Sequence, residues 1–213
     1  LRWHGVFRQK RPILQMSSSI ICKFFAKIRK KNEDAGVAYR IIAFRYGLTW
    51  KHILNFFVFH GTVIGNCKTF DGIIVTEIRN PTDKVEKNPL YGQMFIDEYK
   101  TQFLNSDPKG FEYTYGQRLL DYEDDILQTN QIDYIIGTLE RDINSRRAQA
   151  ITWKVSKDTC RDVEDVPCLQ LVRCVIVHGR LNMEVVFRSH DMLKGYYPNV
   201  LGLSYLMDYI VRE

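Results

Sequence analysis

One pair of apolar runs constrains the fold more than any other feature. LQLVRCVIV (169–177) and LNMEVVF (181–187) are separated only by His178, Gly179 and Arg180. In the second run Leu181, Met183, Val185 and Phe187 alternate with Asn182 and Glu184, the two-residue period of a strand with one buried face. Gly179 can supply the positive φ that a tight turn needs. A β-hairpin closed at His178-Gly179 is therefore predicted. Pairing counted from that turn sets Cys168 opposite Ser189 and beside Arg188, and opposed Cβ atoms lie about 5 Å apart. A bulge would move this register by one residue.

That neighbourhood has chemical content. A free thiol titrates near about 8.5, and an adjacent guanidinium favours its thiolate. Arg188 and Ser189 together offer a charge and a hydroxyl, which suit a phosphate. Taken alone, the hairpin favours a plainer arrangement, with Cys168 a buried cysteine at a strand start and Arg188 a surface charge.

The chain has 213 residues, enough for one domain with its own core. Its 45% apolar and 26% charged content is that of a soluble globular protein. No run approaches the ~18 apolar residues of a membrane span, so none is expected. The net charge of +5 is spread along the chain and suits a small anionic ligand as well as nucleic acid. Five cysteines, at 22, 67, 160, 168 and 174, form no CxxC pair. The odd number argues against a disulfide framework or a zinc site and for a reducing, cytoplasmic setting.

Residues 1–42 are basic and weakly patterned, through QKRP, the SSS run and KIRKKNED. They read as an N-terminal extension in which SIICKFFAKI (19–28) could form a short amphipathic helix. Residues 43–213 read as the single main domain. TWKHILNFFVFHG fits a helix with Trp50, Ile53, Leu54, Phe57 and Val58 on one face and Gly61 as its stop. GIIVTEIRNP (72–81) reads as a strand ended by Asn-Pro. Residues 90–104 look helical, and Ile132, Ile135, Ile136, Leu139 and Ile143 recur at helical spacing over 131–143. AQAITWKV (148–155) is strand-like, residues 156–166 a charged loop. A last helix after Pro198-Asn199 would bury Leu203, Leu206, Met207 and Ile210. The expected class is α+β, a single domain with a twisted mixed or antiparallel sheet packed with helices.

Four motifs then stand in order: YTYGQRL (113–119), SRRA (145–148), PC (167–168) and RSHDMLKGYYPN (188–199). They resemble the signatures of the thymidylate synthase family, with 20 residues from Cys168 to Arg188 and 11 from Arg188 to Asn199. The likeness covers about residues 45–213 and is nearest to the short, archaeal-type branch, through PCLQL and FRSHDM. It implies the thymidylate synthase-like fold. It also implies an enzyme that transfers and reduces a one-carbon unit, from 5,10-methylene-tetrahydrofolate or a methanopterin analogue, to C5 of dUMP to give dTMP. Cys168 would be the nucleophile that adds to C6. Arg146, Arg147, Arg188 and Ser189 would hold the phosphate, the double arginine reaching into a partner's site in a homodimer. Asn199 would present an acceptor and a donor to the N3–H and O4 edge of uracil, where an Asp would suit cytosine. Asp191 would meet the pterin ring with Gly195 nearby, and Tyr115 would order the hydrogen-bond network.

The same residues have plain structural uses. The double arginine could face a helix dipole, Asn199 could cap a helix, Asp191 could cap a turn, Tyr115 could be core and Gly195 a loop glycine. The chain also departs from the family pattern. Leu169 stands where a His often follows the cysteine, and Phe187 where a Gln often precedes the arginine. Glu77 is the one candidate for the family's catalytic glutamate and reads better as structural. Arg40 and Arg45 are unassigned candidates for the N-terminal phosphate arginine. The sequence stops 14 residues past Asn199, before the family's His-x-Tyr segment, which suggests truncation of the domain. A pyrimidine-nucleotide hydroxymethylase and a non-catalytic nucleotide- or RNA-binding relative are the other readings. Asn199 argues against cytosine. RNA is not the expected partner, and RNA binding would show steep salt dependence and tolerate Cys168→Ala.

Overall fold

The computed structural model describes residues 2–4, 22–23, 39–64, 66–81, 88–124 and 126–213. In chain order the elements are β1 (Arg2–His4), β2 (Cys22–Lys23), β3 (Tyr39–Ala43), α1 (Tyr46–His60), β4 (Thr62–Ile64), β5 (Cys67–Thr69) and β6 (Ile74–Ile78). Next come α2 (Gln93–Tyr99), α3 (Tyr115–Leu120), β7 (Tyr122–Glu123), β8 (Gln128–Thr129), α4 (Gln131–Arg141), β9 (Gln149–Ile151) and α5 (Val155–Asp158). The chain closes with β10 (Leu169–Val177), β11 (Arg180–Phe187) and α6 (Tyr196–Arg212). The main sheet runs β3-β6-β1-β11-β10-β9, with β2 also paired to β11. β3–β6 and β6–β1 are parallel, whereas β1–β11, β11–β10 and β10–β9 are antiparallel. The result is the mixed α+β architecture expected. Most of the 19–28 stretch lies outside the described residues; Cys22–Lys23 within it is strand.

The β10–β11 hairpin is the centre of the sheet. Its turn puts both His178 (φ 52°) and Gly179 (φ 69°) in the left-handed region, the two-residue geometry that matches strand twist. Leu169, Val172, Cys174, Leu181, Met183, Val185 and Phe187 are completely or almost completely buried and join the helices in one apolar cluster. α6 supplies Leu203, Leu206 and Met207 to it, and α4 supplies Ile132, Ile135 and Leu139.

Several expected boundaries move, for local reasons. The 90–104 helix breaks at Lys100–Thr101, where the Thr101 hydroxyl bonds the Glu98 carbonyl, and a 3₁₀ turn (Gln102–Leu104) follows. α4 stops at Arg141, so Ile143 lies outside it and is exposed. Val58 is exposed too, because α1 packs through Tyr46, Thr49, Trp50 and Ile53. The strand over 148–155 is confined to 149–151, since Asp158 caps a short helix by accepting from Lys154 N at 2.7 Å. α6 begins at Tyr196, before Pro198, which is tolerated in a first turn whose N–H groups have no helical partner.

Two packing details fix the segment that carries Tyr115. Arg118 and Asp158, both nearly fully buried, pair through two contacts of 2.7 and 3.1 Å, and Arg118 also reaches the Thr152 carbonyl. Gly116 lies against main chain: a Cβ there would be 2.1 Å from the carbonyl oxygens of both Gln102 and Asn105. Glu77 is buried and salt-bridged to Arg40 and, at 3.2 Å, to Arg79. It is a structural carboxylate, and Arg40 is engaged by it.

Candidate active site

The open end of the hairpin brings Cys168 and Arg188 together, one residue out of the predicted register. Pairing holds as counted from the turn up to Leu171↔Val186, then shifts so that Leu169 faces Phe187. Gln170 is the extra residue of this bulge, and its carboxamide folds back on the Pro167 and Leu169 carbonyls. Cys168 therefore faces Arg188, whose N–H donates to the Cys168 carbonyl at 2.8 Å. Ser189 is the exposed next residue.

Arg188 also clamps the approach to the cysteine. Its Nε donates to the Pro167 carbonyl and its Nη2 to Val166, both at 3.0 Å. That uses two of the five N–H groups of the guanidinium. Cys168 is half-buried, and burial raises its thiol pKa. Arg188 pulls in the opposite direction, while Asp165 adds to the rise. The ligand-free thiol is thus held protonated at neutral pH, poised between an activating cation and a suppressing carboxylate.

Tyr115 begins α3, where the Thr114 hydroxyl caps the helix by accepting from Gln117 N. Its ring packs against Tyr113, centroids 5.9 Å apart, and edge-on against Phe187 at 6.2 Å. Burial raises both phenol pKa values, that of Tyr113 to about 12, so both stay protonated donors. The phenols of Tyr113 and Tyr115 and the Cys168 thiol are close enough to influence one another's titration.

Asn199 lies in the first turn of α6, almost fully buried; it is not a cap. Its Oδ1 accepts from the Tyr99 hydroxyl at 2.6 Å, and its Nδ2 lies 2.8 Å from His190 Nε2. The His190 ring stacks on Phe187, centroids 4.1 Å apart and planes 12° apart. Asp191 does cap a turn: its Oδ1 accepts from Leu193 and Lys194 N–H. Its carbonyl takes the N–H of Gly195 and Tyr196, so Gly195 sits at the junction between this turn and α6. Trp50 Nε1 holds the same turn through the Met192 and Leu193 carbonyls, and Tyr91 through that of Lys194.

Cys168, Arg188, Tyr115 and, through the Phe187–His190 stack, Asn199 are therefore gathered at one end of the sheet, with Ser189 and the Asp191–Gly195 turn following in the chain. Arg146 and Arg147 are elsewhere. Ala148 accepts from Cys174 N, and Gln149 pairs with Arg173, so the double arginine lies beyond Cys174 on the turn side of the hairpin, exposed. Cys174 is six positions on from Cys168, about 20 Å of strand. Within one chain these arginines cannot reach Cys168.

The sequence reading missed Tyr99, Tyr113 and His190. Tyr113 and His190 stand inside motifs already singled out, YTYG and RSHD, where only their neighbours had roles. Tyr99 meets Asn199 across 100 residues, and nothing local announces that contact.

The thymidylate synthase family profile matches residues 43–213. Among archaeal relatives, a protein of Methanocaldococcus jannaschii provisionally named thymidylate synthase is 43% identical over 144 residues, which is 65% of this chain and 64% of that protein. A protein of the same provisional name from Methanosarcina acetivorans is 35% identical over 168 residues, 76% of this chain and 75% of the relative. One from Methanococcoides burtonii is 30% identical over 187 residues, 84% and 83% of the two chains. The matched span holds the whole hairpin, the Tyr-Gly segment and the Asn199 helix, and on that match the chain belongs to the thymidylate synthase family.

Proposed function

We propose that the chain transfers a one-carbon unit to C5 of dUMP and reduces it to methyl, giving dTMP. A methylene-tetrahydropterin is both the carbon source and the hydride donor, itself oxidised to the dihydropterin, and the C5 hydrogen leaves as a proton. The observation that carries this reading is the juxtaposition of Cys168 with Arg188 at the bulged end of the hairpin. A half-buried thiol on the residue that faces an arginine with N–H groups to spare offers a nucleophile and an anion anchor side by side. In the proposed reaction the Cys168 sulfur bonds to C6 of the uracil. The C5=C6 π pair moves onto the O4 side as an enolate, which makes C5 nucleophilic toward the donor's methylene carbon. Tyr115 packs edge-on against Phe187, which faces Leu169 across the hairpin, and so backs the main chain behind the attacking sulfur. Asn199 reads the base, Arg188 and Ser189 bind the phosphate, and Asp191 with Gly195 lies on the donor side. The donor would be 5,10-methylene-tetrahydrofolate or a methanopterin analogue.

The double arginine fits this reading in a homodimer, where Arg146 and Arg147 of one copy serve the partner's phosphate site. The sheet face turned from the core supports a second copy. Its strands carry exposed Ile42, Ile151 and Val177 beside half-buried Leu171, Val175 and Val186.

The test is tritium release from dUMP labelled at C5, with a methylene donor, for wild type and Cys168→Ala. Release that needs Cys168 and prefers dUMP to dCMP is expected. Release that survives Cys168→Ala, or no release from either nucleotide, refutes the reading. Gel filtration checks the homodimer: a strict monomer would leave Arg146 and Arg147 without a site.

A further inference from the structure

The Asp191–Gly195 turn is held from outside by two side chains that the proposed chemistry leaves without a role. Asp191, Leu193 and Lys194 are exposed, and Met192 is buried. A surface turn of this kind ordinarily moves. Here the carbonyls of three consecutive residues are each taken by a side chain from another part of the chain. The Trp50 indole N–H, from α1, is shared between the Met192 and Leu193 carbonyls at 3.1 and 3.2 Å. The Tyr91 hydroxyl, ahead of α2, donates to the Lys194 carbonyl. Tyr197 packs against both, with centroids 6.4 Å from Trp50, edge-on, and 6.2 Å from Tyr91, nearly parallel.

We propose that Trp50 and Tyr91 are positioning residues that pre-order the Asp191–Gly195 turn for the one-carbon donor, so that Asp191 meets it in a fixed orientation; this rests on the dUMP reading above. Inside the turn, Asp191 Oδ1 accepts from the Leu193 and Lys194 N–H groups, and the Asp191 carbonyl accepts from those of Gly195 and Tyr196. Oδ1 and the carbonyl oxygen are thereby spent on the turn, which leaves Oδ2 to accept from an N–H edge of a pterin. The aim of Oδ2 depends on where Leu193 and Lys194 lie. Those are the residues whose carbonyls Trp50 and Tyr91 hold. An indole N–H only donates, and in the buried place of Trp50 these carbonyls are what it meets. Loosening either tether leaves the turn to be ordered when the pterin binds, a cost that falls on pterin affinity. The nucleotide side is anchored elsewhere, Arg188 on the Val166 and Pro167 carbonyls and Asn199 between Tyr99 and His190. The effect is therefore expected on the pterin and not on dUMP.

The test is tritium release at steady state in wild type, Trp50→Phe and Tyr91→Phe, with KM measured separately for dUMP and for the methylene-tetrahydropterin. Each substitution keeps a ring and removes the hydrogen-bond donor. KM for the pterin is expected to rise about two- to tenfold, the scale of one net hydrogen bond, with KM for dUMP unchanged. Trp50→Phe, which loses a buried bond, should exceed Tyr91→Phe, whose bond faces solvent. Equal rises for both substrates, or a lower Tm with both KM values intact, would make the pair structural and overturn the proposal. Should Trp50→Phe fail to fold, Tyr91→Phe decides, because its hydroxyl is at the surface. A second measurement needs no activity: amide hydrogen exchange at residues 193–195, expected to quicken in both variants. Unchanged exchange overturns the proposal. Absence of dUMP turnover in the wild type would refute the functional reading, and equilibrium binding of tetrahydrofolate and tetrahydromethanopterin then decides this one. Binding weakened in the variants supports it, and equal binding or none overturns it.

Discussion

Gly116→Ala tests whether the Tyr-Gly segment needs its glycine for close packing. The new Cβ would stand 2.1 Å from the Gln102 and Asn105 carbonyl oxygens, whereas real Cβ contacts essentially never fall below 3.0 Å. Both obstacles are main chain, at the ends of the 3₁₀ turn whose Phe103 is anchored in the core, so neither can rotate away. The gap must open by about 0.9 Å, by shifting α3 or the turn. Overpacking of this kind costs about 1–3 kcal/mol, which lowers Tm by about 3–10 °C in a domain of this size. The same shift moves Tyr115, the neighbouring residue, off Phe187, the residue before Arg188. A displacement of about 1 Å beside the site is expected to lower tritium release by about tenfold to a hundredfold. Gly137→Ala is the control, because a Cβ there meets nothing within 4 Å; it sits within α4 and is expected to be neutral or to stabilise by up to about 1 kcal/mol. The assays are thermal unfolding by circular dichroism and turnover. If Gly116→Ala matches wild type in both, the close approach does not position Tyr115 and the reasoning fails.

Other substitutions probe other links. Asp158→Ala strands the Arg118 guanidinium in the interior, at an expected cost of about 3–5 kcal/mol in urea unfolding; a loss under about 1 kcal/mol would show the pair to be replaceable by water. Alkylation of Cys168 by iodoacetamide, followed by peptide mass, should lag behind the exposed Cys67 and Cys160 at neutral pH because burial raises its pKa. Asp165→Asn should speed that alkylation and Arg188→Met should slow it, and the reverse order would contradict the opposed pulls of these two charges on the thiol. His190 also gives the fold an acid limb. Its folded pKa of about 3 lies below the ordinary 6.5, so the unfolded chain binds the extra proton first. The stabilisation is complete above pH ~6.5 and falls by about 1.4 kcal/mol per unit as pH drops toward 3. Urea midpoints at pH 7 and 4.5 should therefore differ less in His190→Phe than in wild type, and equal differences would place the limb on another group.

The hairpin and the amphipathic helices were legible because their signal is local. Alternation over 181–187 has one strand solution, and Ile132, Ile135 and Leu139 sit on one helical face, buried as their spacing implies. The bulge was not legible, since Gln170 reveals itself only through its hydrogen bonds to Pro167 and Leu169. That one residue decides whether Cys168 faces Ser189 or Arg188. Boundaries failed where a side chain competes with the backbone, as Thr101 does in the 90–104 stretch and Asp158 after β9. Of the site, the residues with intrinsic chemistry could be read, while their supports could not. Tyr99 is on a helix whose only readable pattern was apolar spacing, and its contact with Asn199 is a property of how α2 packs on α6.

The two departures beside the key positions meet in one place. Phe187 and Leu169 are apolar where the family resemblance implies polar side chains next to the arginine and the cysteine. In the fold these two residues are paired across the hairpin, both fully buried. Leu169 packs in the core, and its carbonyl accepts from the Thr152 hydroxyl. Phe187 contributes a flat surface on which the His190 ring lies nearly parallel. The imidazole absent after the cysteine is thus present from the opposite strand end, within 2.8 Å of Asn199. Phe187 and the histidine of RSHD form one packing unit through this stack, and Leu169 faces Phe187 across the hairpin. Introducing Gln at 187 alone removes the stack and buries an unpartnered carboxamide, so its cost in stability should exceed the about 1–3 kcal/mol of an unsatisfied polar group. Introducing Phe187→Gln with Leu169→His restores a polar pair on the family's pattern and should recover part of that loss; a double variant as unstable as the sum of its parts would show the two positions to be independent.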